Sequence, residues 1–167
     1  MKKRAESLVE RIETGAQALA DFARGLSERE WSTPVRPDGR TAGVIVHHVA
    51  SMYPIEIHVA TVVASGNAVT DVTWDAVAEI NAKHAAEFAN AGKEETLALL
   101  LRNSKVAADA VRALTDEQLD RAAPFSLNAG APLTAQFVIE DHALRHSWHH
   151  LAKIKAALQT RTTSAAS

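Results

Sequence analysis

Apolar side chains fall at Leu8, Ile12, Leu19, Phe22 and Leu26, at spacings of three, four and seven with charges between them. That stripe predicts an amphipathic first helix over residues 3–25. Ser27-Glu28-Arg29-Glu30 reads as a capping box opening a short turn before Trp31, and Pro34, Pro37 and Gly39 then make a loop. Asp38 or Thr41 caps a second helix running to Ser65, where Gly66-Asn67 supplies a left-handed stop. Pro54 falls inside it, but Ile57, Val59 and Val63 continue the pattern, so a kink is expected rather than an end. Thr73 caps a segment over 74–89, and Gly92 separates it from a helix with Leu97, Leu100, Ala108, Val111 and Leu114 on one face. Thr115-Asp116-Glu117-Gln118 repeats the capping box, a loop with Pro124, Gly130 and Pro132 comes next, and a last helix covers 133–158.

No two-residue alternation flanked by hairpin turns interrupts this series. The expected fold class is therefore all-α, a four-helix bundle with an additional short helical segment after Thr73. Residues 1–158 form the one domain, and 159–167, small and polar without periodicity, are expected to fray. There is also a faint internal echo. Gly25-Leu26-Ser27-Glu28-Arg29-Glu30 resembles Ala113-Leu114-Thr115-Asp116-Glu117-Gln118, and Thr41-Ala42 with Val44-Ile45-Val46 resembles Thr134-Ala135 with Phe137-Val138-Ile139. If the echo is structural, the second and last helices are pseudo-equivalent and face each other.

Composition narrows the function classes. The 167 residues carry 20 acidic and 18 basic side chains, a formal charge of −2 and a pI near 6.4, which leaves no basic footprint for a nucleic acid. No apolar run approaches the roughly 20 residues of a membrane span, and Met1-Lys2-Lys3-Arg4 leads into Glu6, Glu10 and Glu13 rather than an apolar signal segment. The expected location is the cytoplasm, and the expected partner a small molecule, with neither nucleic acid nor membrane. Zero cysteines exclude disulfides, thiolate metal sites and cysteine nucleophiles. Eight histidines stand against them.

Four of the eight, His142, His146, His149 and His150, lie within nine residues. Two histidines at i and i+4 on a helix point the same way and can share one ion. At about 100° per residue with His142 at zero, the apolar side of the last helix spans roughly 60° to 220°, His150 falls at about 80° and His146 at about 40°, while His149 lies near −20°. The inward pair is His146 and His150. On the second helix His48 falls within the apolar arc and His47 near 260° from it, beside His58 and Ser51. Burying three imidazoles is unfavourable unless each finds a partner, and one divalent cation satisfies all three lone pairs. His47, His58, His84 and His149 map to polar faces or to a helix without a second inward ligand. His142 is either a supporting residue or proton carrier at the mouth, or a surface residue. Glu56 lands near 80° on the second helix, inside the apolar arc, which makes it either a general base or an exposed residue after a kink. Glu140 and Asp141 are placed to orient a ligand imidazole by accepting its second N–H.

The run Thr41-Ala42-Gly43-Val44-Ile45-Val46-His47-His48-Val49-Ala50, together with His142, His146, His149 and His150 around Arg145, Trp148 and Ile154, resembles the DinB-like superfamily of metal-binding four-helix bundles. The resemblance covers nearly the whole chain, including the Leu-Ser-x-x-x-Trp turn after the first helix. It implies that His48, His146 and His150 are metal ligands, the set that helix geometry also selects. Family members with known activities include transferases and isomerases that use low-molecular-weight thiols such as bacillithiol or mycothiol. The resemblance therefore implies an open nickel or zinc site, commonly in a dimer, and names no substrate.

Three neutral nitrogen ligands leave coordination positions free, and an ion so held either lowers the pKa of a bound water or presents a bound thiol as thiolate. With no cysteine in the chain, a thiol must arrive on a cofactor or substrate. The sequence thus points to a metal-dependent enzyme acting on a small molecule, a thiol S-transferase or a hydrolase. The other reading is a non-catalytic stress-associated bundle that binds metal or ligand. Trp74, outside the four principal helices, caps either the bundle or a second subunit, and the chain leans towards a homodimer.

Overall fold

The computed structural model describes residues 3–164. The first helix, α1 (Lys3–Arg24), buries Leu8, Ile12 and Leu19. Ser27 opens the four-residue α2 (Glu28–Trp31) with both halves of the capping box formed: its hydroxyl accepts from the Glu30 N–H, and the Glu30 carboxylate accepts from the Ser27 N–H. Thr41 rather than Asp38 caps α3 (Ala42–Ala64), accepting from the Val44 N–H. Gly66 at φ +82° provides the left-handed residue after its last turn. Pro54 lies within α3 without ending it. A proline has no N–H for the carbonyl four residues back, here that of Ala50. Asn103 fills the vacancy, donating from Nδ2 to that oxygen at 2.9 Å.

Thr73 caps α4 (Trp74–Glu87), Gly92 precedes α5 (Lys93–Ala113), and Thr115 with Gln118 forms the second capping box at α6 (Asp116–Asp120). Helices α1, α3 and α5 pack side by side, and the last helical stretch closes the bundle against α1 and α3. Leu8, Ile12, Leu19, Ile45, Leu100 and Ile154 fill the interior. Among the described residues, no helix is long and apolar enough to cross a membrane.

Two features depart from the expectation. A small antiparallel hairpin, β1 (Ala122–Phe125) with β2 (Ala131–Thr134), pairs Ala122 with Thr134 and Phe125 with Ala131. Its strands are four residues long, each holds a proline, and its bend places Ala129 and Gly130 at φ 57° and 75°, so it lacks the alternation that marks a strand in sequence. The final helix is also not uniform. It begins as α7 (Ala135–Ile139), passes through a π-helical turn at 140–144, and continues as α8 (Arg145–Ser164). Thus α8 runs past Leu158, and the end of the tail, residues 165–167, lies outside the described residues.

The internal echo is structural. Both echoed segments form capping boxes, and Thr134 caps α7 by accepting from the Phe137 N–H just as Thr41 caps α3. Even the hairpin has a counterpart in the single antiparallel bridge between Pro34 and Thr41. The consequence is that α3 and the 135–164 helix face each other across the bundle.

Candidate metal centre and its cavity

His48 projects from α3 towards His146 and His150, one turn apart on α8. The ring centroids lie 4.9 Å (His48 to His146), 5.5 Å (His48 to His150) and 4.7 Å (His146 to His150) apart. One ring nitrogen from each lies within 4.8 Å of the other two, and this is the one such group of ligand-type side chains among the described residues. Burial, then the neighbouring His146, holds His48 down to about 3, and the same causes push His150 lower still. Both rings are neutral at pH 7, with lone pairs available. The Nδ1 atoms of His146 and His150 are buried and make no hydrogen bond. Three converging imidazoles, two of them buried and held neutral, suit a divalent cation such as nickel or zinc.

Glu56 is 8% exposed on α3, its Oε1 2.8 Å from Nδ1 of His146. The contact is close without being a straight hydrogen bond, and Oε2 is buried with no partner at all. Of the two readings the sequence left open for Glu56, burial at the cluster is the observed one. The helix continues through Pro54, so the register holds. The orienting role expected of Glu140 and Asp141 has no such geometry. Glu140 pairs with Arg11 of α1 at 2.7 Å, away from the cavity, and Asp141 pairs with Arg145 at 3.1 Å. Glu56 is the carboxylate beside a cluster imidazole.

The three histidines border a cavity of about 410 Å³ lined by α3, α4, the hairpin and the π-helical turn. The π turn explains why Asp141 and His142 face it: an extra residue in one turn rotates the side chains before it relative to those after it, as π-bulges at functional sites do. His142 stacks on Phe125 at 5.7 Å between centroids, at the cavity rather than on the outer surface.

Two histidines assigned to polar faces are elsewhere. His47 is 9% exposed, its Nδ1 2.9 Å from Nε2 of His84, its ring stacked on Phe88 at 3.9 Å. A helical wheel sees one helix, and α4 covers the face of α3 that the wheel assigns to solvent. His84 is held down to about 4 by burial and then by His47, and its ring lies 5.6 Å from that of His48. His58 is exposed as expected, and His149 is exposed at the rim of the cavity. Trp74 also stands at the rim, its Nε1 donating to the Leu127 carbonyl at 3.2 Å. Arg40 lines the cavity as well. No local signal marks it, because its position depends on how the 34–41 loop folds over α3.

Solved structures share this architecture. YfiT from Bacillus subtilis, described as a probable metal-dependent hydrolase with an unusual four-helix bundle topology, is 21% identical, with a TM-score of 0.76 over 97% of this chain and 90% of its own. The colibactin self-resistance protein ClbS, solved with a double-stranded DNA, is 12% identical with a TM-score of 0.71 over 92% and 94%. The DinB-like protein YjoA of Bacillus subtilis is 18% identical with a TM-score of 0.59 over 93% and 92%. At these identities the likeness is one of fold. No curated protein sequence matches. Residues 11–154 match the model of the DinB superfamily, and the chain belongs to the DinB superfamily.

Proposed function

We propose that the protein is a metal-dependent enzyme acting on a small molecule, with His48, His146 and His150 as the ligands of one divalent ion. The observation that carries this reading is the convergence of three imidazoles at a roomy cavity, two of them, His48 and His150, held neutral by burial. An ion held by three nitrogens keeps positions free and supplies Lewis acidity, activating a nucleophile that binds there, whether water or an external thiol. The chain supplies the rest. Glu56 lies against His146, Oε1 2.8 Å from its Nδ1, and is the candidate proton acceptor at the cluster. The cavity, at about 410 Å³, lies in the range of small-ligand pockets, roughly 300–1,000 Å³.

In the first form of the reading the nucleophile is a low-molecular-weight thiol, supported by the family's thiol-dependent members and by the absence of cysteine from the chain. The second form is hydrolysis, supported by the Glu56 carboxylate beside His146 as a candidate base and in keeping with the description of YfiT. DNA binding, as in the ClbS complex, finds no support in a chain of net charge −2.

Metal analysis of protein made without a histidine tag tests the common ground. About one nickel or zinc per chain is expected, and loss of it in His146→Ala; equal content in both overturns the assignment. A screen of the loaded protein then separates the forms. Turnover of electrophiles only with added thiol marks a transferase, turnover of esters or amides without thiol a hydrolase, and no turnover with either favours a non-catalytic binding bundle.

A further inference from the structure

One charged group in the cavity takes no part in the proposed metal chemistry. Arg40 precedes the cap of α3, and its side chain is 13% exposed. Its Nε and Nη2 both lie 2.8 Å from Oδ2 of Asp38, so one edge of the guanidinium is committed. Nη1 is buried and makes no hydrogen bond. Arg40 lines the same cavity as His48 and His150, near enough for its charge to act on both rings. A buried cationic donor left unpaired is unfavourable. A second positive charge beside ligands suited to a cation is more so, unless an anion lies between them. Arg145, the other arginine at the cavity, differs on each point, being 57% exposed on its side chain and paired with Asp141.

The remaining wall is apolar, formed by Met52, Ile55 and Val59 of α3 facing Val77 and Ile80 of α4. A ligand matching both features has an anionic end and an apolar body. Asp38 already offsets part of the Arg40 charge, which suits one carboxylate better than a phosphate dianion. We propose that Arg40 is the substrate anchor, binding through its guanidinium the carboxylate of a monocarboxylic acid whose aliphatic or single-ring body lies along the α3–α4 wall. This names the substrate class of the proposed enzyme and rests on that reading for the reaction alone; the anchor itself needs no metal.

Calorimetry with a matched pair of probes, 4-phenylbutanoate and 4-phenylbutan-1-ol, tests it on protein freed of metal by chelation and on nickel-loaded protein. In the metal-free arm the wild type is expected to prefer the carboxylate by about tenfold or more, the size of one charge-assisted hydrogen bond. Arg40→Gln is expected to lose that preference while keeping its affinity for the alcohol, which shows the cavity intact. Arg40→Met gives the same comparison should the glutamine variant not fold. Equal affinities in the metal-free wild type, or a preference that survives removal of the guanidinium, overturns the anchor. If nickel does not bind yet the preference depends on Arg40, the anchor stands and the metal-enzyme reading falls; if nickel binds and the preference is missing, the reverse holds.

Discussion

The cavity has two walls built on different physical terms. On one, α3 and α8 bury His48, His150 and Glu56 among Tyr53, Ile57 and Ile154, so each group is fixed by core packing. On the other, α4 contains no buried residue, and Trp74 and Ile80 are 64% and 52% exposed. What ties α4 down is polar and aromatic: His84 to His47, Phe88 on His47, and Trp74 to the Leu127 carbonyl. Chemistry that needs fixed geometry sits on the rigid wall, and the wall that admits a ligand is held by a few separable contacts.

His150 and His84 offer the sharpest contrast, being near neighbours of His48 on opposite walls. His150→Ala is expected to lower metal affinity by more than about 100-fold, since even outer partners of a ligand are worth 10- to 100-fold. His84→Ala is expected to leave metal content unchanged and to raise amide hydrogen exchange in α4. Equal loss of metal in both variants would merge the two walls into one site. Acid comes next. The metal-free protein holds His48 and His150 neutral, whereas in the unfolded chain both take protons below about pH 6.5. Stability is therefore complete above that value and falls as pH drops towards about 3, by up to about 1.4 kcal/mol per pH unit for each histidine. Thermal melts of the chelated protein between pH 7 and pH 4 check this; a flat profile would contradict their burial as neutral groups.

A third change probes the rigid wall without touching a histidine. A Cβ on Gly43 would stand 2.4 Å from Nε1 and Cε2 of Trp31, whose indole N–H is already given to the Ala91 carbonyl. Gly43→Ala is expected to lower stability by about 1–3 kcal/mol, the usual range for overpacking, measured by denaturant unfolding. The same substitution scale applied to exposed α4 positions should barely register.

This asymmetry also explains what could be read in the sequence. The rigid wall was legible because its side chains obey helical periodicity: His48, His146 and His150 meet where the wheel directs them, and Glu56 lies on the face assigned to it. The caps at Ser27, Thr41, Thr73 and Thr115 were legible because each satisfies backbone N–H groups locally. What escaped depends on contacts between elements. His47 and His84 are paired by the docking of α4, Arg40 enters the cavity by a loop path, and His142 reaches it through a π turn that a uniform 100° step omits. The hairpin at 122–134 escaped because its prolines and short strands remove the alternation that identifies a strand.

The smallest effect on stability is expected where the effect on ligands is specific. Trp74 is mostly solvated, and its indole hydrogen bond joins α4 to the 3₁₀ turn after β1. Trp74→Ala should therefore change unfolding free energy by no more than about 0.5 kcal/mol, as surface substitutions do. The indole nonetheless forms part of the cavity rim, so a ligand with an apolar body loses contact area when it is removed. The alcohol and carboxylate probes should weaken together, by a factor of several, with their ratio preserved, because Arg40 is untouched. A change in the ratio would mean that Trp74 and Arg40 do not act on separate ends of the ligand. A fall in stability of several kcal/mol would mean that α4 belongs to the rigid part of the fold.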